Sequence, residues 1–75
     1  MFRNKIKHWA EIKGRRLKHL AKECDVSPQT FSKWVKNETQ PNLEQAFIIA
    51  RELQLTVDQL GEFFEQSENN SRNDI

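Results

Sequence analysis

Apolar residues recur at three- and four-residue spacings in five stretches of this chain, separated by short polar breaks. That period is the mark of helices with one buried side. In the first stretch Phe2, Ile6, Trp9 and Ile12 or Lys13 share a stripe, which predicts a helix over about 4–13. Asn4 or Arg3 opens it, and Gly14 is the kind of residue that stops it. The second helix runs over about 17–24, with Leu17, Leu20, Ala21 and Cys24 at i, i+3, i+4, i+7. Small Ala21 lets another helix cross closely.

The third stretch is the most informative. Ser27 is a good N-cap and Pro28 follows at the first helical position, where its missing N–H costs nothing. Asn37 can close this helix in a left-handed conformation. Phe31, Trp34 and Val35 fall on one side; Gln29, Ser32, Lys33 and Lys36 fall on the other. Asp25 and Val26 form the turn before it, Asp25 tolerating left-handed geometry and Val26 plugging the angle between the helices. A helix, a three-residue turn and a second capped helix make a helix-turn-helix over about 17–37.

Asn42, with Gln45 three residues on, opens a fourth helix in a capping-box pattern. Leu43, Ala46, Phe47, Ala50 and Leu53 form its stripe, widened by Ile49, with Ile48 to the side. Thr56 and Gln59 repeat the capping pattern for a fifth helix, in which Val57, Leu60 and Phe64 share a face. Phe63 then points about 100° from Phe64. Either one of these two rings lies in a subunit interface, or both pack back on the first helix near Phe2 and Ile6. From residue 66 the chain has almost nothing apolar to bury, which predicts a disordered polar tail over 66–75.

Composition narrows the class. Seventy-five residues with two glycines and two prolines make one small all-α domain, over 3–65, with few turns and no expected sheet. The single cysteine, Cys24, lies on a buried stripe; it excludes an internal disulfide and a cysteine-rich zinc site and suits a reducing, cytoplasmic setting. The longest apolar run, 47–50, is too short to span a bilayer, and no signal-peptide pattern follows the N-terminus. His8, His19 and Cys24 do not make a metal set, and no nucleophile–base pair or glycine-rich phosphate loop is present. An enzyme is therefore not expected, nor a cofactor or metal.

The net charge of +1 hides an asymmetry. Residues 1–40 hold ten Lys/Arg and four Asp/Glu, or +6; residues 41–75 hold two and seven, or −5. A basic half points to an anionic partner on one side of the molecule. The polar side of the third helix offers an amide, a hydroxyl and two ammonium groups with no carboxylate, which is the chemistry that touches base edges and phosphates. Arg15 and Arg16 stand before the second helix, where they either reach phosphate oxygens or solubilise a loop.

Leu20-Ala21, Val26-Ser27, Phe31-Ser32-Lys33-Trp34, Pro41-Asn42-Leu43, Ala50, Leu53 and Thr56-Val57-Asp58-Gln59-Leu60 together resemble the lambda-repressor-like, Xre-type helix-turn-helix family, over about residues 3–64. The resemblance implies five helices with the third in a DNA major groove. It places Gln29, Thr30, Ser32 and Lys33 at base-reading positions, and Lys36 with the loop from Asn37 to Thr39 at phosphates. Gln29 suits adenine and Lys33 guanine O6 and N7.

The family often carries Gln at the start of the second helix; here Arg16 and Leu17 stand there, with Arg15 or Arg16 as replacement phosphate contacts. A family Arg–Glu pair is replaced by Ala10 and Val35, both apolar. Asp25, Asn37 and Gln54 stand where glycine is common.

The function implied is that of a sequence-specific regulator of double-stranded DNA, a repressor binding as a homodimer. The setting implied is a bacterial or phage-type cytoplasm, nucleoid-associated when bound. The alternative is an antitoxin or anti-repressor module that binds a small protein through the Phe63/Phe64 end.

Overall fold

The computed structural model describes residues 1–65; the expected tail over 66–75 lies outside them. Five helices appear in the predicted order: α1 (Ile6–Lys13), α2 (Leu17–Glu23), α3 (Pro28–Val35), α4 (Leu43–Leu53) and α5 (Val57–Leu60). The caps explain their bounds. Gly14 ends α1 at φ 67°, sending its N–H back to the Ala10 and Glu11 carbonyls. Ser27 Oγ accepts the Thr30 N–H at 3.2 Å, and Pro28 occupies the first turn of α3. Asn42 and Gln45 form a reciprocal box, both bonds 2.8 Å. The Thr56 N–H donates to Gln59 Oε1 at 2.9 Å. Asp25, Asn37 and Gln54 all adopt left-handed backbone, at φ 59°, 63° and 60°. For Asp25 and Asn37 the short polar side chain eases that geometry.

The expectation of no sheet is corrected. A strand β1 (Phe2–Asn4) pairs antiparallel with β2 (Gly61–Phe63), in the register Phe2↔Phe63, Arg3↔Glu62, Asn4↔Gly61. Two consequences follow for the helices. The first helix begins at Ile6 rather than near residue 4, and Asn4 caps it from outside by accepting the Ile6 N–H on Oδ1 at 3.1 Å. The fifth stops at Leu60, so Phe63 and Phe64 are not helical. Gly61 turns the chain into extended backbone at φ −143°, and the Phe2 ring packs where a side chain at 61 would stand. The Lys5 N–H to Leu60 carbonyl bond (2.7 Å) and the Phe64 N–H to Met1 carbonyl bond (2.8 Å) extend the pairing at both ends.

The core is built from Ile6 and Ala10 of α1, Leu20, Ala21 and Cys24 at α2, Phe31 and Trp34 of α3, Ile49, Ala50 and Leu53 of α4, and Leu60 of α5. Trp9 lies at its margin and donates its indole N–H to the Gln59 carbonyl at 2.8 Å. Val26 packs against the core from the turn, as its position predicts. Burial, then the neighbouring Glu23 and Glu52 carboxylates, push the Cys24 thiol up. It is a packing residue rather than a nucleophile.

Two further readings change. Leu43 and Phe47 were expected on the buried stripe of the fourth helix, but they are 70 % and 59 % exposed. Ile12 is likewise exposed. The buried side of α4 is the arc Ala46, Ile49, Ala50 and Leu53, with Ile48 packing against the core from its edge.

Candidate nucleic-acid interface

Helix α3 is fixed from behind. Phe31 and Trp34 are 2 % and 4 % exposed, with ring centroids 5.4 Å apart, and Val35 packs beside them. Burying two large aromatic rings ties the helix's rotation about its own axis to the core. The opposite side is thereby turned out: Gln29, Thr30, Lys33 and Lys36 are exposed, and Ser32 is half-buried. Thr30 is partly committed to the cap, since its hydroxyl oxygen accepts from the Ser27 hydroxyl at 3.2 Å. Gln29 and Lys33, one turn apart, are the side chains with most reach.

The flanking cations are also presented. Arg15 and Arg16 are exposed at the start of α2, where the Arg16 carbonyl accepts the first helical N–H groups, from His19 and Leu20. Among the described residues the ion pairs are Arg3 with Glu62 and His19 with Glu23 and Glu52. Arg15, Arg16, Lys33 and Lys36 enter none of them. Cations left without a carboxylate on an exposed face are available to an anion.

Asn37 behaves differently from the other expected phosphate contacts. Its Oδ1 accepts the Asn4 N–H at 2.7 Å and the Gln40 Nε2 at 2.8 Å, and its Nδ2 donates to the Asn4 carbonyl at 3.3 Å. Asn4, itself 7 % exposed, donates from Nδ2 to the Trp34 carbonyl and to Gln40 Oε1, both at 2.7 Å. The amide of Asn37 is thus occupied inside the protein, and its part is to hold the loop after α3. Within that loop the Glu38 N–H returns to the Lys33 carbonyl at 2.9 Å, which leaves Thr39 exposed and the loop close against the helix end.

Sequence reasoning missed Asn4 and Gln40 as members of this network. Nothing in the spacing of residues 4, 37 and 40 signals that they meet. It also missed a polar hollow of about 440 Å³ at the C-terminal end of α3, bordered by Arg3, Lys5, Lys7 and His8 as well as Val35, Asn37 and Glu62. This hollow carries the positive charge of the N-terminal segment round to the end of the third helix. Phe63, on β2, and Phe64, just after it, lie away from this hollow. The Phe2 and Phe63 rings meet edge-to-face at 5.2 Å, and the Arg3 guanidinium sits 5.0 Å from the Phe64 ring centre. They pack on the opposing strand rather than on α1.

The side of α3 that faces out, with cations that enter no ion pair among the described residues and without a carboxylate of its own, is suited to a polyanion that offers both hydrogen-bonding edges and phosphates. A family model described as helix-turn-helix matches residues 6–60. The chain is also similar to a crystal structure described as "a putative DNA-binding protein from Bacteroides fragilis", with 32% sequence identity and a TM-score of 0.78, covering 83% of this chain and 100% of that one. No curated protein matches. No helix among the described residues is long and apolar enough to cross a membrane.

Proposed function

The chain belongs to the lambda-repressor-like, Xre-type helix-turn-helix family, and from this we propose that it is a sequence-specific regulator of double-stranded DNA, a repressor that lays α3 in the major groove. One observation carries the reading: Gln29 and Lys33 stand exposed on the face opposite buried Phe31 and Trp34, and Lys33 has no ion-pair partner among the described residues. Gln29 is suited to a bidentate bond with adenine and Lys33 to guanine O6 and N7. Ser32 and Thr30 add shorter hydroxyl contacts. Arg15, Arg16, Lys36 and Thr39 grip phosphate, and Asn37 sets the loop that presents Thr39.

A single recognition helix reads only a few base pairs. Two copies bound to half-sites about 34 Å apart, one turn of the duplex, would raise both affinity and specificity. The basic half supplies a salt-dependent attraction that ignores sequence, and α3 supplies discrimination. Repression follows from occupying a promoter.

The test is selection of bound duplexes from a random pool, followed by a mass measurement of the selected complex. The proposal expects an enriched, two-fold symmetric sequence carrying two protein chains. A pool that emerges unenriched would remove the regulator reading. The exposed Phe63 ring favours a second reading, in which the strand end binds a small protein as an antitoxin or anti-repressor does. Loss of such a partner on Phe63→Asp, with DNA binding intact, would support it.

A further inference from the structure

The outer side of α4 has no role in the interface just described. Phe47 is 59 % exposed there and Leu43 one turn earlier is 70 % exposed; Ile48, half-buried, packs in part against the core and leaves the rest of its side chain beside Phe47. Next to Phe47 a groove of about 470 Å³ opens between α4 and α5, floored by Ala50, Leu55 and Val57 and rimmed by Arg51 and Asp58. One patch therefore holds a projecting ring and, beside it, an apolar recess able to take such a ring.

The charges on this side are ordered. Glu44, Phe47, Ile48 and Arg51 follow one another at i, i+3, i+4 and i+7, so they share a helix face. Glu44 and Arg51 are exposed and neither joins the ion pairs seen among the described residues. Seven residues apart, they are separated by about 10.5 Å along the axis, too far to bridge each other. An acid at one end, apolar residues in the middle and a base at the other end is a face that complements itself when turned end for end.

We propose that this face docks a second copy of the chain, with α4 antiparallel to α4 of the partner about a two-fold axis between Phe47 and Ile48. The rotation seats each Phe47 ring in the groove beside the other, and sets each Glu44 against the partner's Arg51. An isologous contact requires projection, recess and both charges to lie on one patch, and they do. The groove shares Val57 and Asp58 with the recess that Phe63 borders, and none of its lining residues belongs to α3.

The experiment uses the full chain without DNA, by sedimentation equilibrium, with helicity checked by circular dichroism. Wild type is expected as a dimer. Phe47→Glu is expected to be folded and monomeric, since position 47 lies outside the core. Glu44→Arg alone and Arg51→Glu alone each set like charges face to face and are expected to raise the dimer dissociation constant about tenfold or more. The double reversal restores it, as does mixing the two single variants, because both cross-pairs become attractive again.

A monomeric wild type, a dimeric Phe47→Glu, or a double reversal no better than the single ones would overturn the proposal. So would dissociation on Phe63→Asp with Phe47→Glu unaffected, which would move the contact to the strands. None of these readouts involves DNA, so their failure is separate from failure of the regulator reading.

Discussion

Two pairs of large aromatic residues divide this small domain. Phe31 and Trp34 on α3 are almost wholly buried, whereas Phe47 on α4 and Phe63 on β2 are 59 % and 83 % exposed. All four belong to the same residue class, and three of them sit on amphipathic helices. The difference is what lies behind each. Behind α3 stand α1 and α2, which supply Ala10, Leu20 and Ala21 as a close-packed bed. On the outer side of α4, no described residue covers most of the Phe47 ring. The first pair therefore fixes an orientation within the chain, and the second is free to meet another molecule. A domain this size has too little interior to do both with every ring.

That contrast is broken most directly by truncating one ring from each region. Trp34→Ala opens a cavity in the core and is expected to cost about 3–5 kcal/mol, a large part of the ~5–15 kcal/mol that a domain has in total. Phe47→Ala, measured at a dilution where chains do not associate, is expected to change stability by no more than about 0.5 kcal/mol. Urea denaturation followed by circular dichroism gives both values. Equal losses would mean that the two regions are packed alike.

Next in size is the network that joins the two ends of the molecule. Asn4→Ala removes the donor to the Trp34 carbonyl and the acceptor for the Ile6 N–H, and leaves Gln40 Oε1 short of a partner, while the bonds of Asn37 to the backbone at position 4 remain. The expected cost is about 1–3 kcal/mol of stability, for buried groups left unsatisfied. The loop after α3 should loosen with it, lowering affinity for specific and random duplexes by the same factor. Stability loss with unchanged affinity would show that the loop holds its shape without Asn4.

The recognition side is then sharpened by its own lysines. Lys33→Ala is expected to cost about 1–3 kcal/mol at the preferred site and to relax its sequence preference. An equal fall on random duplex would make Lys33 a phosphate contact. Lys36→Ala is expected to weaken both kinds of DNA and to reduce the salt slope by about one. A slope left unchanged in a salt titration would take Lys36 off the phosphate face.

What the residue pattern reveals follows the same divide. The caps at Ser27, Asn42 and Thr56, the stop at Gly14 and the left-handed Asp25 and Asn37 are local chemistry, and each is readable within a few residues. The orientation of α3 is readable for the same reason, since Phe31, Trp34 and Val35 coincide on one side. The sheet is not. Its strands are three residues each, come from opposite ends of the chain, and pair Phe2 with Phe63, so no local period records them. Phe64 also falls by chance at helical spacing from Leu60, which extends α5 on paper past the residue where Gly61 ends it. Leu43 and Phe47 mislead in another way: a helix of eleven residues with apolar positions over much of its circumference does not say which arc its neighbours cover. Asn37 is the instructive case at the site, because its left-handed backbone is a local property and its amide partners are not.

The smallest effect expected tests whether acid reaches the sheet end before the recognition side. Glu62 is held below its ordinary value near 4.5 chiefly by the hydrogen bond from Arg3, which outweighs the opposing effect of burial, and further by the charges of Arg3, Lys5 and His8. A carboxylate depressed in the folded state stabilises fully above its unfolded value, and that stabilisation is lost as the pH falls through the folded one. The pairing of β1 with β2 should therefore weaken as acidity increases below the ordinary carboxylate range. Exchange of the Phe64 amide, bonded to the Met1 carbonyl, should quicken there while amides of α3 keep their protection. Arg3 is largely and Glu62 partly in solvent, so added salt should reduce the effect, and Glu62→Gln should flatten it. Helix α3 carries no carboxylate, so nothing within it titrates in that range. If α3 amides lost protection together with Phe64, the sheet would be part of the same cooperative unit as the recognition helix, and the Asn4 bridge would be the connection through which acid is felt at both.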